Sequence, residues 1–221
     1  MQVEFYLTAD QSHTLYRPDL DETYHSRNGA VEESEYVFMK MGLLPAMEIN
    51  NNIHVLEVGF GTGLNAILCL AHAQLKQVKI QYTSLETFPL PLNVIEQLNY
   101  STFLTNDDLP CYKLMHTCNW QEQVEITPNF TLLKLQESLL SFSPKTAYDV
   151  IFFDAFAPDK QPELWTEAVF EKLFSCLNPN GIFVTYSAKG EVRRLLKKVG
   201  FEVELLPGPP RKRHMLRAIK P

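Results

Sequence analysis

The sequence of 221 residues contains no apolar run that approaches the roughly 18 residues needed to span a membrane. Its beginning, Met1–Phe5, lacks a basic region followed by an apolar stretch, so no secretory signal is predicted. No internal repeat or low-complexity tract is present. These absences exclude a membrane-inserted or repeat protein and predict a globular, cytoplasmic protein, with a length suited to one domain.

Cysteine and histidine are too scattered to indicate a metal site. The four cysteines stand at positions 69, 111, 118 and 176, without metal-type spacing, and none of the six histidines is given a ligand role. Cys69 and Cys176 lie in apolar helical patterns and are expected to be reduced packing residues, as in cytosolic proteins. No bound metal is predicted.

An overall positive charge is also lacking, since the formal net charge is −6, which argues against a globally basic nucleic-acid binder. Residues 186–221, however, carry ten Lys and Arg against three Glu, a local charge of +7. Within this region, three prolines at 207–210 stiffen a loop that continues as Arg211-Lys212-Arg213, a candidate contact for RNA phosphates. The basic residues at 193–198 also fit an ordinary solvated helix face.

Two short stretches carry most of the functional information. In the first, a buried strand turns through Gly59, Gly61 and Gly63 into a helix whose first N–H groups are free for a ligand. The second, Ile151–Pro158, is a buried strand that ends in Asp154. Because ligands of open α/β sheets lie just outside such strand ends, the two stretches predict a nucleotide-like cofactor with an acid facing it.

The spacing of the glycines separates the possible cofactors. A dinucleotide turn has its third small residue one position later, where this sequence has Leu64, and it has no acid at the position of Glu57. Glu-x-Gly-x-Gly-x-Gly is similar instead to the first motif of S-adenosylmethionine-dependent methyltransferases. The next strand ends in Glu86, which is suited to accept hydrogen bonds from both ribose hydroxyls. A plain strand–helix turn with an incidental exposed glutamate is the alternative.

The order of strands and helices predicts an α/β fold: a doubly wound, mostly parallel sheet with helices on both faces. Residues 1–50 are expected to form an N-terminal extension with a hairpin and a helix, and residues 51–221 the main domain. A helix over Pro162–Leu177 is expected to stop at residues 178–181, Asn-Pro-Asn-Gly. The last two strands are expected to pair as an antiparallel hairpin, and residues 100–144 to hold a helix, one strand and a loop.

The acid at the second strand end suits methyl transfer to an amine. This reaction needs a nucleophile and a methyl group that are aligned and shielded from water. Asp154 is placed to orient an amine and accept its proton, although a helix-capping role is the alternative. Phe156, Pro158 and Trp165 are expected to be apolar walls, although Trp165 lies in a predicted helix and fits a core residue better. Tyr186 is expected either to donate a hydrogen bond to the substrate or to be an ordinary buried aromatic.

Several collinear segments together resemble one family. The most specific is Asp154–Trp165, with the pattern Asp-Ala-Phe-Ala-Pro-x-x-x-Pro-x-x-Trp. The others are Tyr24–Gly29, Glu33–Phe38, Glu57–Asn65, Tyr186–Arg194, Gly200-Phe201 and Gly208–Leu216. They are similar, over nearly the whole chain, to the methyltransferase domain of the bifunctional tRNA 5-methylaminomethyl-2-thiouridine biosynthesis proteins (MnmC) and to its stand-alone relatives (MnmD-type).

The resemblance implies a Rossmann-like class I S-adenosylmethionine-dependent tRNA N-methyltransferase that acts on the amine of 5-aminomethyl-2-thiouridine at the wobble position. It assigns Asp154 to catalysis. The cofactor-binding residues that it implies are Glu57, Gly59, Gly61, Gly63 and Glu86. The substrate-binding residues are Glu33, Phe156, Pro158, Tyr186, Arg211, Lys212 and Arg213, the last three holding the anticodon stem–loop by its phosphates.

The chain departs from this family in two places. No flavin-binding oxidase domain is expected within its 221 residues, so a separate flavin oxidase, or the enzyme that makes the aminomethyl precursor, is a candidate partner. Gln11 stands where the family usually has glycine, and adenine contacts within 100–144 are not identified, residues 136–138 being candidates. Three alternatives stay open: a small-molecule amine methyltransferase, an aminopropyltransferase of polyamine synthesis, and a non-catalytic cofactor-binding RNA scaffold.

Overall fold

Residues 2–221 are described by a computed structural model with an eight-stranded sheet at its centre. The strands are β1 (Glu4–Leu7), β2 (His13–Arg17), β3 (Glu22–Thr23), β4 (Asn52–Val58), β5 (Lys79–Leu85), β6 (Gln123–Thr127), β7 (Phe130–Leu135), β8 (Tyr148–Phe153), β9 (Leu177–Thr185), β10 (Glu202–Pro207) and β11 (His214–Ile219). The α-helices are α1 (Ala30–Ser34), α2 (Leu44–Ile49), α3 (Leu64–Lys76), α4 (Leu92–Ile95), α5 (Asp108–Thr117), α6 (Glu167–Cys176) and α7 (Gly190–Val199). Within residues 2–221, no helix has the length and apolar character to cross a membrane.

The central sheet has the strand order β10-β11-β9-β8-β4-β5-β7-β6. Its inner pairs, from β9 to β7, are parallel, and β10–β11, β11–β9 and β7–β6 are antiparallel. The predicted α/β fold, with a mostly parallel sheet and an antiparallel C-terminal hairpin, is confirmed. β6 is an additional strand, because the segment 100–144 was expected to contain only one.

Alternation along the strands divides the core into two layers. On β4, Ile53 and Val55 belong to the apolar cluster under α3, whereas Leu56 belongs to the cluster under α6 and α7. By the same period of two, Glu57 of β4 shares the face of Ile53 and Val55. The first residue after β8, Asp154, likewise continues the α3 side, so both acids of the predicted motifs project from one face of the sheet.

Residues 30–49 form one continuous helix that begins as α1, continues with π winding over Glu35–Leu43 and ends as α2. Its buried residues Val37 and Phe38 join the same apolar cluster as α3. Gly42 permits close packing on the sheet, since a Cβ atom there would lie 2.9 Å from Cγ2 of Val184. The N-terminal extension therefore packs on the core, while its boundary at residue 50 stays a prediction.

A turn between β1 and β2 holds the start of this helix. Asp10 accepts hydrogen bonds from Ser12 N at 2.9 Å and Glu32 N at 3.0 Å, and Ser12 Oγ accepts one from Ala30 N at 3.1 Å. Gln11, at the tip of the turn, has φ +69°, in the left-handed region that favours glycine. The departure from the family's glycine at this position is therefore accommodated at some cost in backbone strain.

The predicted start of the helix at Pro162 is wrong, whereas its predicted end at Leu177 is within one residue of the end of α6 at Cys176. Pro162–Leu164 forms a short 3₁₀ turn, and α6 begins only at Glu167, where the Thr166 hydroxyl caps it. The expected stop at 178–181 lies inside β9, because Asn180 N donates to the Lys220 carbonyl across the sheet. The turn-forming residues are therefore part of a strand that already begins at Leu177, and its register with β8 is irregular between Tyr148 and Val150.

Candidate active site

A cleft of about 340 Å³ opens at the carboxyl ends of β4, β5 and β8. Gly59 and Gly61 of the glycine turn, Glu86 after β5 and Asp154 after β8 all line it. The volume is within the range of small-ligand sites, roughly 300–1,000 Å³. The fold thus brings the two stretches singled out in the sequence to the same cavity.

The glycine turn requires glycine at its first and third positions. Gly59 has φ +97°, and a Cβ atom there would lie 2.9 Å from the backbone oxygen of Asp154. Gly63 has φ +72°, and a Cβ atom there would lie 2.7 Å from Nε2 of His116. A side chain at either position would be both strained and crowded, so the backbone can come this close only because these side chains are absent.

The carbonyl of Thr62 anchors this turn to α5. Tyr112 donates its hydroxyl hydrogen to Thr62 O at 2.8 Å, and Nε2 of His116 lies 3.1 Å from the same oxygen. Tyr100 donates to the Thr62 hydroxyl at 3.2 Å. Burial lowers the pKa of His116 to about 4, so the ring is neutral and carries its proton on Nε2 for this bond. No sequence signal marked these residues, because they lie in the divergent 100–144 segment.

Glu86 is held beside the glycine turn by backbone donors. Its Oε2 accepts a hydrogen bond from Gly61 N at 3.0 Å, and its Oε1 accepts one from Phe88 N at 2.8 Å. The side chain is half-buried and lines the cleft. The carboxylate therefore presents its remaining lone pairs to the cavity at the end of β5, as the ribose prediction requires.

Glu57 lies beneath the turn and does not line the cleft. It is fully buried, and Ser84, its direct neighbour on β5, donates to Oε2 at 2.6 Å. Burial raises the pKa of Glu57 to about 8. Its Oε1 has no hydrogen-bond partner among residues 2–221. Glu57 is consequently held within the sheet by Ser84 and does not reach the open cavity.

Asp154 sits at the floor of the cleft with one side-chain donor. Asn65 Nδ2, from the first turn of α3, donates to Asp154 Oδ2 at 2.9 Å. Burial and, next, the charge of Glu33 raise the pKa of Asp154 to about 8. Asn65 is part of the glycine motif segment, but its contact with Asp154 was not predicted. A carboxyl group tuned in this way can exchange a proton near neutral pH.

Glu33, Lys212 and Tyr186 form a second group in the same cleft. Glu33 is buried, accepts a hydrogen bond from Ser26 N at 2.7 Å and pairs with the Lys212 ammonium. The Lys212 Nζ atom is 5.0 Å from the centre of the Tyr186 ring. Tyr186 donates its hydroxyl hydrogen to the Ala155 carbonyl at 2.9 Å, so its ring, not its hydroxyl, faces this group. Lys212, expected on the RNA-facing surface, points into the cleft.

The aromatic wall of the cleft is formed by Phe156 and Tyr24, whose ring centres are 5.3 Å apart. Trp165 is buried and donates from Nε1 to the Phe156 carbonyl at 2.8 Å, so it supports this wall as a core residue. Pro158 is buried and does not line the cleft, unlike the expectation that it forms an apolar wall. Tyr24 carried no chemical signal in the sequence beyond the family resemblance.

The other predicted residues divide between the cleft and the surface. Glu137 and Ser138 line the cleft, whereas Gln136 does not. Arg211 and Arg213 are exposed and lie outside the cavity. Across residues 2–221, no three His, Cys, Asp or Glu side chains gather in a way that could hold a metal ion.

Comparison with known proteins identifies similar sequences over most of the chain. A family described as S-adenosyl-L-methionine-dependent methyltransferase matches residues 112–221. The tRNA 5-methylaminomethyl-2-thiouridine biosynthesis bifunctional protein MnmC of Chromobacterium violaceum is 31% identical over 207 residues, covering 88% of this chain and 31% of that protein. The protein of the same name from Methylobacillus flagellatus is 32% identical over 219 residues, covering 91% and 33%. The chain thus spans about a third of the length of these relatives.

Solved structures give the same picture of the fold. The crystal structure of MnmC2 from Aquifex aeolicus has a TM-score of 0.77 and 27% identity, and the match covers 98% of this chain and 70% of that one. Spermidine synthase from Thermotoga maritima has a TM-score of 0.55 and 16% identity, covering 100% and 80%. The second likeness concerns the fold alone and gives no support to the aminopropyltransferase alternative.

Proposed function

We propose that this chain is an S-adenosyl-L-methionine-dependent methyltransferase and that it methylates the amine of 5-aminomethyl-2-thiouridine at the wobble position of tRNA. The product is 5-methylaminomethyl-2-thiouridine. The observation that carries the proposal is the position of Asp154, a carboxyl group with a pKa near 8 at the floor of the cofactor cleft. The names of the matching relatives support the choice of substrate.

The residues of the cleft fit S-adenosylmethionine, the cofactor of this family. Gly59 and Gly61 let the backbone approach a ligand, and the first turn of α3 supplies free N–H groups for its carboxylate. Glu86 would accept hydrogen bonds from the ribose hydroxyls, and Glu137 and Ser138, which also line the cleft, are candidates for contacts with the adenine. Asn65 also lines the cleft, and its buried Oδ1, which has no partner among residues 2–221, is a further candidate acceptor.

Asp154 prepares the amine for attack. When bound, the cofactor supplies a methyl group from a positively charged sulfur, and the sulfur becomes a neutral thioether once the methyl group is transferred. The amine nitrogen uses its lone pair to form the new C–N bond, and it must lose one proton to end as a neutral secondary amine. Asp154 accepts that proton, because its raised pKa makes it a stronger base than an ordinary aspartate.

The surface around the cleft suits an RNA loop. Arg211 and Arg213 are exposed on the loop that carries Lys212, and they attract phosphates of the anticodon stem–loop. Phe156 and Tyr24 offer an apolar wall against which a splayed base can pack. These features favour a tRNA substrate over a small-molecule amine.

The proposed substrate is itself a primary amine on a modified base, so a reaction other than this methyl transfer must first make it. A separate flavin oxidase that removes a carboxymethyl group, or an enzyme that installs the aminomethyl group directly, would serve. The proposed reaction takes place in the cytoplasm, with tRNA.

The test is methyl incorporation from labelled S-adenosylmethionine into tRNA that lacks only this modification step, followed by nucleoside analysis. The expected product is 5-methylaminomethyl-2-thiouridine. Asp154→Asn should keep cofactor affinity but slow transfer by roughly 100-fold or more, as expected on loss of a general base. If the protein binds the cofactor tightly but the tRNA acquires no labelled methyl group, the assignment of an RNA substrate is overturned in favour of the small-molecule alternative.

A further inference from the structure

The ammonium group of Lys212 occupies a small site with the chemistry of an amine receptor. It pairs with the Glu33 carboxylate and lies 5.0 Å from the centre of the Tyr186 ring. Asp154 lines the same cleft as Lys212 and Glu33, and the charges of these two residues act on its pKa in opposite directions. Carboxylates together with an aromatic face are the usual means of holding an alkylammonium ion.

Lys212 reaches this site from the loop between β10 and β11, 179 residues away from Glu33 in the sequence. The loop is closed by its own backbone bonds, with Gly208 N donating to Arg213 O at 3.1 Å and Lys212 N to Pro209 O at 2.9 Å. Arg211 and Arg213 are exposed on either side of it. The same short loop thus has one cation directed into the cleft and two directed to solvent.

We propose that Lys212 is a tethered occupant of the substrate's amine subsite, formed by Glu33, Tyr186 and Asp154, and that it determines specificity by excluding free amines. This inference rests on the proposed function. A lysine side chain and an aminomethyl group both end in a primary ammonium, so each satisfies the same carboxylate and ring. The substrate amine enters only when Lys212 leaves.

The tether explains why RNA, rather than a small amine, gains access. An occupant on the same chain competes at an effective concentration in the millimolar range, which a dilute free amine does not match. An RNA backbone brought to Arg211 and Arg213 offers Lys212 new anionic partners outside the cleft. Binding of the RNA loop is therefore coupled to the departure of Lys212 from the subsite. The substrate amine then enters the subsite that Lys212 has left.

The first experiment measures binding without any transfer of methyl groups. The probe is n-propylammonium, added to the full chain while the melting temperature is recorded. Lys212→Ala and Lys212→Met leave the Glu33 site without its cation, so we expect the probe at tenfold excess over its Kd to raise their Tm by about 2–5 °C. The wild-type protein should not shift, and adding Glu33→Gln to either variant should abolish the shift.

Lys189→Ala is the matched control, because Lys189 also pairs with a carboxylate, Asp159, at 2.6 Å, but on the surface. It should behave like the wild-type protein. Equal shifts in all proteins, or no shift in either folded Lys212 variant, would overturn the proposal. Two substitutions of different size at Lys212 keep the test informative if one of them impairs folding.

A second experiment compares methyl transfer to the free 5-aminomethyluridine nucleoside and to tRNA. Lys212→Met should raise kcat/KM for the nucleoside about tenfold or more, through a lower KM, and should lower kcat/KM for tRNA. A variant that loses activity on both substrates equally would contradict the role in specificity. If neither protein methylates tRNA but the propylammonium shift depends on Lys212 and Glu33, the proposed function fails while the ammonium subsite stands.

Discussion

Asn65 and Asp154 are joined by a hydrogen bond of 2.9 Å, although 89 residues separate them in the sequence. Asn65 belongs to the first turn of α3, directly after the glycine turn, and Asp154 follows β8. The bond therefore links the glycine-turn element, proposed to approach the cofactor, to the group proposed to accept the proton. Together with the backbone bond from Asp154 N to Val58 O at 3.1 Å, it fixes the position of Asp154 relative to the glycine turn.

Asn65→Ala should shift the pH profile of methyl transfer. The Asn65 amide stabilises the charged form of Asp154 and so lowers its pKa against the effect of burial. Without this donor we expect the pKa of Asp154 to rise further. A hydrogen bond to a charged group contributes free energy equivalent to about one pKa unit, so the midpoint of the kcat/KM profile should move up by about one pH unit. Rates measured between pH 6 and 10 test this, and an unchanged midpoint would show that the bond does not tune the base.

Asp154→Asn should alter how the stability of the protein depends on pH. In the folded protein the pKa of Asp154 is about 8, well above the ordinary value of 3.8, so between these two values the folded state holds a proton that the unfolded chain releases. The free energy of unfolding of the wild-type protein therefore declines as pH rises through this window. The free energy of unfolding of the Asp154→Asn variant should decline less over the same pH window. Urea unfolding from pH 5 to pH 9 measures the two slopes.

The slope will not vanish completely in Asp154→Asn, because the pKa of Glu57 is raised in the same direction. Adding Glu57→Gln should flatten the profile further. Identical slopes for the wild-type protein and the single variant would contradict the assignment of a raised pKa to Asp154.

Gly63→Ala should reduce both stability and cofactor binding. An alanine at position 63 would have to adopt φ +72°, and its Cβ atom would lie 2.7 Å from Nε2 of His116. We therefore expect a loss of about 1–3 kcal/mol in the free energy of unfolding. Gly190→Ala is the control, since Gly190 begins α7 and a Cβ atom there meets only the mobile end of Arg194. It should leave stability unchanged or slightly raised. Denaturant melts and cofactor titrations of the two variants test the contrast.

Glu86→Gln should weaken cofactor binding while leaving the rate at saturating cofactor within about threefold, because ribose contacts are made equally in the ground and transition states. Loss of hydrogen bonds to a charged acceptor predicts a rise in Kd of about 10- to 100-fold. Glu167→Gln, at a surface pair with Lys198, is the control. Calorimetric titration measures the Kd, and an unchanged value would remove Glu86 from the cofactor site.

Arg211→Gln combined with Arg213→Gln should lower the salt dependence of tRNA binding. Each lost phosphate contact decreases the slope of log K against log salt by about 0.7–0.9, so the double variant should lose about 1–2 in slope. Lys198→Gln, which breaks a pair on the surface of α7, should leave the slope as it is. Binding measured at several salt concentrations distinguishes these outcomes, and equal slopes would place the RNA elsewhere.

The parts of the fold and site that follow from local pattern were predictable from the sequence. The glycine turn, the two strand-end acids Glu86 and Asp154, and the hairpin formed by β10 and β11 each depend on a few neighbouring residues. Period-two alternation and turn chemistry identify such elements without knowledge of their surroundings.

What could not be predicted depends on partners distant in sequence. The inward direction of Lys212 follows from the position of Glu33, and the anchoring of Thr62 follows from Tyr112 and His116 on α5. The beginning of β9 is set by pairing with neighbouring strands, which outweighs the turn preference of residues 178–181. In each case a tertiary contact decides between local structures that the sequence permits equally.

The π winding of residues 35–43 makes the position of Glu33 tolerant of changes in chain length. A π turn closes its hydrogen bonds over one residue more than an α turn does, so this stretch accommodates extra residues without breaking the helix. Deletion of one residue from a regular α-helix would rotate the preceding residues by about 100° relative to the following ones. Here the loss would instead return a π turn to an α turn, so a single-codon deletion should keep Glu33 close to its partner Lys212.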